Sequence, residues 1–150
     1  MTPRLDYRTA APKLYQAMLG LERAVASSGL EHGLIKLVKT RASQINGCAW
    51  CIDMHTRDAR RSGETEARLY LLNAWREAPH YSARERAALA WTEALTLVAQ
   101  THAPDADYDA LKPHFNEEEI AQLTMLIVTI NGWNRIAIGF RASPPLDPAA

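Results

Sequence analysis

The stretch of this chain best equipped for chemistry is Asn46-Gly-Cys48-Ala-Trp-Cys51-Ile-Asp-Met-His55, which holds its only two cysteines. A bridge between residues so close in sequence closes too small a loop to restrain the unfolded chain, so the value of the pair is chemical. If a helix opens at Cys48, Cys51 follows after three residues and His55 after four more, which sets all three on one face. Amides without intrahelical partners at a helix N-terminus favour a thiolate, and a nearby imidazole can accept the thiol proton. Two thiols at CxxC spacing can then cycle between dithiol and disulfide, one sulfur attacking an oxidised partner and the other resolving it. Spacing alone leaves the order open. The helix dipole acts most on Cys48, whereas His55 directly supports Cys51.

Two other readings of the same residues stand beside this one. Cys48, Cys51 and His55 could be three ligands of a structural zinc, but such a site wants a fourth, and His32, His80, His102 and His114 are isolated. The cysteines could also be inert core residues, as free cysteines often are. No Gly-rich turn follows a predicted strand, so neither flavin nor haem is suggested and no cofactor is expected.

The elements that must position this stretch are helices, because apolar residues recur three and four apart and extended period-two alternation is lacking. A first helix is expected over 12–27, with Leu14, Met18, Leu21 and Ala24 inward and Ser28-Gly29 as its stop. A second starts near Glu31 and carries Leu34, Leu37, Val38, Ala42 and Ile45 on one side until Asn46-Gly47 breaks it. A third opens around Cys48 and stops at Gly63, and a fourth carries Ala67, Leu71 and Ala74 before Pro79. Ser82 and Glu85 form a capping box that opens a helix through Ala99, with Leu89, Thr92, Leu95 and Ala99 facing the core. After Pro104 a short helix is expected over 107–114, and Asn116 with Glu119 caps a last helix running to about Phe140. Its Leu123–Ile130 segment is apolar almost all round, which places it at the centre of the core or between subunits of an oligomer. The tail from Ser143, with Pro144, Pro145 and Pro148, is expected to be loosely ordered. The expectation is one all-α domain over 1–150, a bundle of about six to seven helices.

Seventeen basic and seventeen acidic side chains in 150 residues give no basic excess for nucleic acid, and the Arg57, Arg60, Arg61 cluster, among Asp53, Asp58 and Glu64, reads as a solvated helix face. The first twelve residues lack the apolar core of a signal peptide, and no uninterrupted apolar run approaches a membrane span, so a cytoplasmic protein without membrane contact is expected. Glu93 fits a salt bridge, Trp91 and Trp133 fit core or interface anchors, and Asn131, Asn134 and Arg135 should make structural hydrogen bonds across a subunit interface.

Across most of its length the chain resembles the carboxymuconolactone decarboxylase family, specifically its alkylhydroperoxidase D-like branch of thiol peroxidases. The resemblance lies in Arg41-Ala-Ser-Gln-Ile-Asn-Gly-Cys48, Cys51-Ile-Asp-Met-His55, Gly63-Glu-Thr-Glu66, Leu72-Asn-Ala-Trp-Arg76, the segment from Ser82 to Glu93, and Asn131-Gly-Trp-Asn-Arg135. It implies an all-helical trimer or hexamer that reduces organic hydroperoxides and is recycled by a dithiol or thioredoxin-like donor. It also implies that Cys51 attacks, Cys48 resolves and His55 is the site histidine. Two positions depart from the family pattern. Lys36 stands where the relay glutamate lies, twelve residues before Cys48, and Trp50 replaces a histidine. Glu31 is off the helical register of Lys36 and a poor substitute. Weak peroxidase turnover is therefore expected, raised by Lys36→Glu. A low-activity oligomeric scaffold, a redox sensor or a metal-binding CxxC/His module are the alternatives.

Overall fold

Leu34, Leu37, Val38 and Ala42 recur at helical spacing, and all four are buried along one side of a helix that ends at Asn46. A computed structural model describes residues 2–145, and Pro148 of the expected loose tail lies outside them. Among the described residues all regular structure is helical: α1 (Tyr7–Ala10), α2 (Pro12–Ala26), α3 (His32–Asn46), α4 (Ala49–Arg61), α5 (Glu66–Leu71), α6 (Ala83–Thr96), α7 (Val98–Thr101), α8 (Asp105–Asp109) and α9 (Glu117–Phe140). The all-α expectation holds, with more pieces than expected because α1 and α7 are single turns with stops of their own.

α3, α6 and α9 pack on one another, α4 lies against α3 and α9, and α2 covers α9. Leu34, Val38, Ala88, Leu123, Leu126 and Ile127 interlock where the three central helices meet. Full burial of such a side chain contributes about 1.5–3 kcal/mol. Both capping boxes form: the Ser82 side chain accepts from the Glu85 amide and Asn116 from that of Glu119, with each glutamate reaching back. By length and composition α9 could cross a bilayer, with a mean hydropathy of 1.2 in its most apolar window, and 44% of that window is buried inside the fold.

Four boundaries or faces differ from the sequence expectation. In α2, Leu14 is 74% exposed and Ala24 is also outside, while Tyr15, Met18, Leu19, Glu22 and Val25 turn inward. This face lines a cavity as well as packing on α9, so it mixes polar with apolar groups and hides its own stripe. Past α5 the chain tightens into a 3₁₀ turn over Leu72–Ala74, which shifts the buried set to Leu69, Leu72, Trp75 and Ala78 and leaves Ala67, Leu71 and Ala74 outside. α6 stops at Thr96, short of Ala99, which is exposed; the Thr101 hydroxyl donates to the Ala94 carbonyl at 2.6 Å and folds the chain back. Pro104 is the N-cap of α8, which therefore starts at Asp105 rather than 107 and ends at Asp109, with turns following to His114.

Candidate active site

α3 ends at Gly47, whose left-handed φ of 67° a side chain would strain, and its N–H returns to the Ser43 and Gln44 carbonyls. The Cys48 N–H bonds the Ser43 carbonyl at 3.0 Å, and Cys48 becomes the N-cap of α4. This tight reversal places the CxxC motif on the first turn of a helix. Cys48 is 1% exposed and Cys51 2%, both are free thiols, and they pack on Ala137 of α9 with Trp50 and Ala142 beside them.

The two sulfurs share a hydrogen bond. The Cys51 thiol bonding to Cys48 lowers the Cys48 pKa to about 7 against the cost of burial, helped by the Cys51 backbone N–H and the Asn134 amide. The same shared proton, together with burial, pushes the Cys51 thiol up. Asn134 is thus a site residue that the sequence reading assigned to structure alone. Its Nδ2 donates to Ser43 Oγ at 3.0 Å and its Oδ1 accepts from Asn46 Nδ2 at 2.9 Å. Asn46 Nδ2 also donates to Asn131 Oδ1 at 2.9 Å, Asn131 Nδ2 donates to Thr96 Oγ1 at 3.0 Å, and Arg135 donates back to Asn131. Asn131 and Asn134 thus find partners within their own chain.

His55, one turn beyond Cys51, is 6% exposed, and its Nδ1 has no hydrogen-bond partner. Burial first, then the nearby Lys39 and Lys36 charges, lowers its pKa to about 4 against the pull of Glu22 and Asp58, so the imidazole is neutral at pH 7. Lys36 Nζ lies 3.4 Å from Asp58 Oδ2. Lys39, nearly fully buried, pairs with Glu22, which also accepts from Trp133 Nε1 at 3.0 Å. Glu31 pairs with Arg84 instead and supplies nothing here. The carboxylates of the site are therefore Glu22 and Asp58. Their sequence signal was Glu22 and Lys39 at inward positions of otherwise apolar helix faces.

Cys51, His55, Lys36, Lys39, Glu22 and Asp58 all line one cavity of about 650 Å³, whereas Cys48 is not part of its wall. Trp133, expected as an anchor, lines it too, while Trp91 is a core residue whose Nε1 donates to Thr124 Oγ1 at 3.0 Å. Glu93 is an ion-pair hub for Arg41 at 2.8 Å and Arg76 at 2.7 Å, as its sequence position suggested. Among the described residues no three His, Cys, Asp or Glu side chains are grouped to hold a metal ion, so Cys48, Cys51 and His55 do not form a ligand set.

Fold and site together define a class: a helical protein that buries a dithiol at a helix N-terminus and opens one of its sulfurs, with a neutral histidine, to a cavity. The chain belongs to the carboxymuconolactone decarboxylase family, whose pattern matches residues 12–94. It is 44% identical over 138 residues to the uncharacterized protein YdfG of Bacillus subtilis (strain 168), covering 92% of this chain and 94% of that one. Its structure is similar to that of ATU0492 from Agrobacterium tumefaciens, a protein of unknown function described as a candidate antioxidant defence protein AhpD. The TM-score is 0.95 and the identity 47%, over 97% of this chain and 100% of that one. The debrominase Bmp8 shares the fold with a TM-score of 0.80 at 19% identity, over 91% of this chain and 74% of its own.

Proposed function

We propose that the protein is a thiol peroxidase that reduces organic hydroperoxides through Cys51 and Cys48. The observation that carries this reading is that Cys51 and a neutral His55 line the same cavity while the Cys48 sulfur lies behind, bonded to Cys51. A hydroperoxide entering the cavity meets Cys51 first. The Cys48 thiolate takes the proton of the hydrogen bond it shares with Cys51 as the Cys51 sulfur attacks the distal peroxide oxygen, and the neutral His55 orients the peroxide. The O–O bond breaks, the alkoxide takes that proton and leaves as the alcohol, and Cys51 becomes a sulfenic acid. Cys48, again a thiolate with a pKa of about 7, attacks the Cys51 sulfur and expels hydroxide, which takes up from solvent the proton that Cys48 first released. The disulfide is reduced by an external dithiol, such as a thioredoxin-like protein. Hydroperoxide and two thiols thus give alcohol, water and disulfide.

Lys36 and Lys39 depress the His55 pKa and cannot accept a proton from it, and this leaves turnover slow. A trimer or hexamer working in the cytoplasm completes the proposal. Met125 and Val128, 44% and 51% exposed one turn apart on α9, supply an apolar face for such an assembly.

The test is an intact-mass measurement and peptide map of the reduced protein before and after one equivalent of an organic hydroperoxide. Loss of two hydrogens, mapped to a Cys48–Cys51 bridge that a dithiol reverses, is expected. Thiols left unmodified reject the reading.

A further inference from the structure

The same cavity has a second, unlike wall. Tyr7 stacks on Phe140 with ring centroids 5.3 Å apart and planes at 25°. Tyr7 meets Tyr15 edge-on at 5.8 Å, and Tyr15 meets Trp133 edge-on at 6.1 Å. With Trp50 these rings all line the cavity, and each is only partly buried, so the series keeps ring surface for a ligand. It is also held in place. The Arg4 N–H donates to the Phe140 carbonyl at 3.1 Å and its guanidinium to the Gly139 carbonyl at 3.0 Å, which ties the segment before α1 to the end of α9. At the other end of the series, the Trp133–Glu22 hydrogen bond anchors Trp133 close to Lys39 and the catalytic end.

The charges on the cavity wall balance. Arg8, Lys36 and Lys39 stand against Asp6, Glu22 and Asp58, the last two carboxylates paired with Lys39 and Lys36, and His55 is neutral. A ligand carboxylate would have to compete with these pairs for Lys36 and Lys39, and the Arg8 guanidinium is engaged by the Tyr7 and Tyr15 rings at 5.8 and 6.0 Å, whereas a neutral ring would meet aromatic edges and faces at no such cost. A volume of about 650 Å³ is ample for a ring and the carbon that carries the peroxide. Among the described residues, the buried polar side-chain atom of this cavity wall without a hydrogen-bond partner is His55 Nδ1, one helical turn from Cys51.

We propose that the substrates are neutral hydroperoxides bearing an aromatic ring, the ring held by Tyr7, Tyr15, Phe140 and Trp133 and the peroxide turned to Cys51 and His55. This rests on the peroxidase reading and narrows it to a substrate class. Straight-chain acid hydroperoxides, which bring a carboxylate and no ring, are the wrong fit.

Binding of the product alcohols, which cannot oxidise thiols, tests the ring preference on the reduced wild-type protein independently of turnover. By calorimetry, 2-phenylpropan-2-ol is expected to bind at least tenfold more tightly than tert-butanol and more tightly than a hydroxy fatty acid. Tyr7→Leu and Phe140→Leu, which keep apolar bulk but remove the ring, should each reduce the preference over tert-butanol several-fold, with only the small loss of thermal stability that one stacked pair accounts for. Equal affinity for the two small alcohols, tighter binding of the hydroxy acid, or a preference untouched by both variants overturns the proposal. Ring preference intact with no thiol oxidation by any hydroperoxide supports the ring pocket and overturns the peroxidase reading instead.

Discussion

Two walls of one cavity are built in different ways. The thiol wall is mostly local: Lys36 and Lys39 come from α3 and Cys51, His55 and Asp58 from α4, with Glu22 joining from α2. The aromatic wall is assembled at long range, joining Tyr7 of α1 and Tyr15 of α2 to Trp133 and Phe140 of α9. Chemistry that depends on a fixed distance between two sulfurs sits on the first turn of one helix, where spacing sets the distance. Recognition of a larger group uses surfaces that only the finished fold brings together. Changes to the first wall should therefore abolish reaction, and changes to the second should alter which molecule reacts.

The sharpest way to break this comparison is Cys51→Ser, expected to lower peroxidase turnover by on the order of a thousandfold or more. Cys48→Ser should instead leave a sulfenic acid on Cys51 that a dimedone probe labels and mass spectrometry maps. Labelling of Cys48 in the Cys51→Ser protein, with turnover retained, would reverse the assigned order. His55→Gln comes next, with a loss of about a hundredfold in the rate of Cys51 oxidation.

His55 also links the site to stability. Its folded pKa of about 4 lies below the ordinary value of 6.5, so the unfolded chain takes up a proton first as pH falls. Stability present above pH 6.5 is then lost progressively toward pH 4, on the order of 3 kcal/mol in all. Urea unfolding at several pH values should show this slope in the wild type and a flatter one in His55→Gln.

Asn134→Leu probes the join between the two halves of the bundle. It deprives Ser43 and Asn46 of a buried partner and should cost about 1–3 kcal/mol of stability in urea unfolding. It should also raise the pH midpoint for alkylation of Cys48, because one hydrogen-bond donor to the thiolate is gone. The smallest effect is expected for Lys36→Glu, a several-fold rise in turnover as a carboxylate joins the site near His55. It also replaces a half-buried ion pair with two facing carboxylates, so urea unfolding should show a loss of stability that eases as salt is raised. An unchanged or lower rate would remove Lys36 as the cause of slow turnover.

The contrast between the walls also explains what the sequence made legible. Asn46-Gly47, the CxxC spacing, the Ser82 and Asn116 caps and the stripe from Leu34 to Ala42 are local signals, and each boundary or face they specify is found where it is expected. The inward face of α2 was misread because Tyr15, Leu19 and Glu22 line open space, where burial does not require an apolar stripe. The 3₁₀ tightening at Leu72 and the break at Leu97 follow from how the chain must turn to pack, and neither is marked by a Gly or Pro at that residue. Asn134 was noticed as a polar group that needs partners, but its approach to the sulfurs depends on α9 lying across the start of α4, a tertiary fact. Glu22 is marked only by its inward position on α2, and its nearness to His55 is a tertiary fact too, since it lies 26 residues before Cys48 in sequence.

The Arg4 clamp onto the end of α9 has a practical consequence. Pro3 and Ser143 both line the cavity, so both terminal segments come to the mouth of the site. Arg4→Ala, which removes the side-chain bond of that clamp, should therefore change how readily bulky ligands reach Cys51 while leaving the thiols themselves untouched.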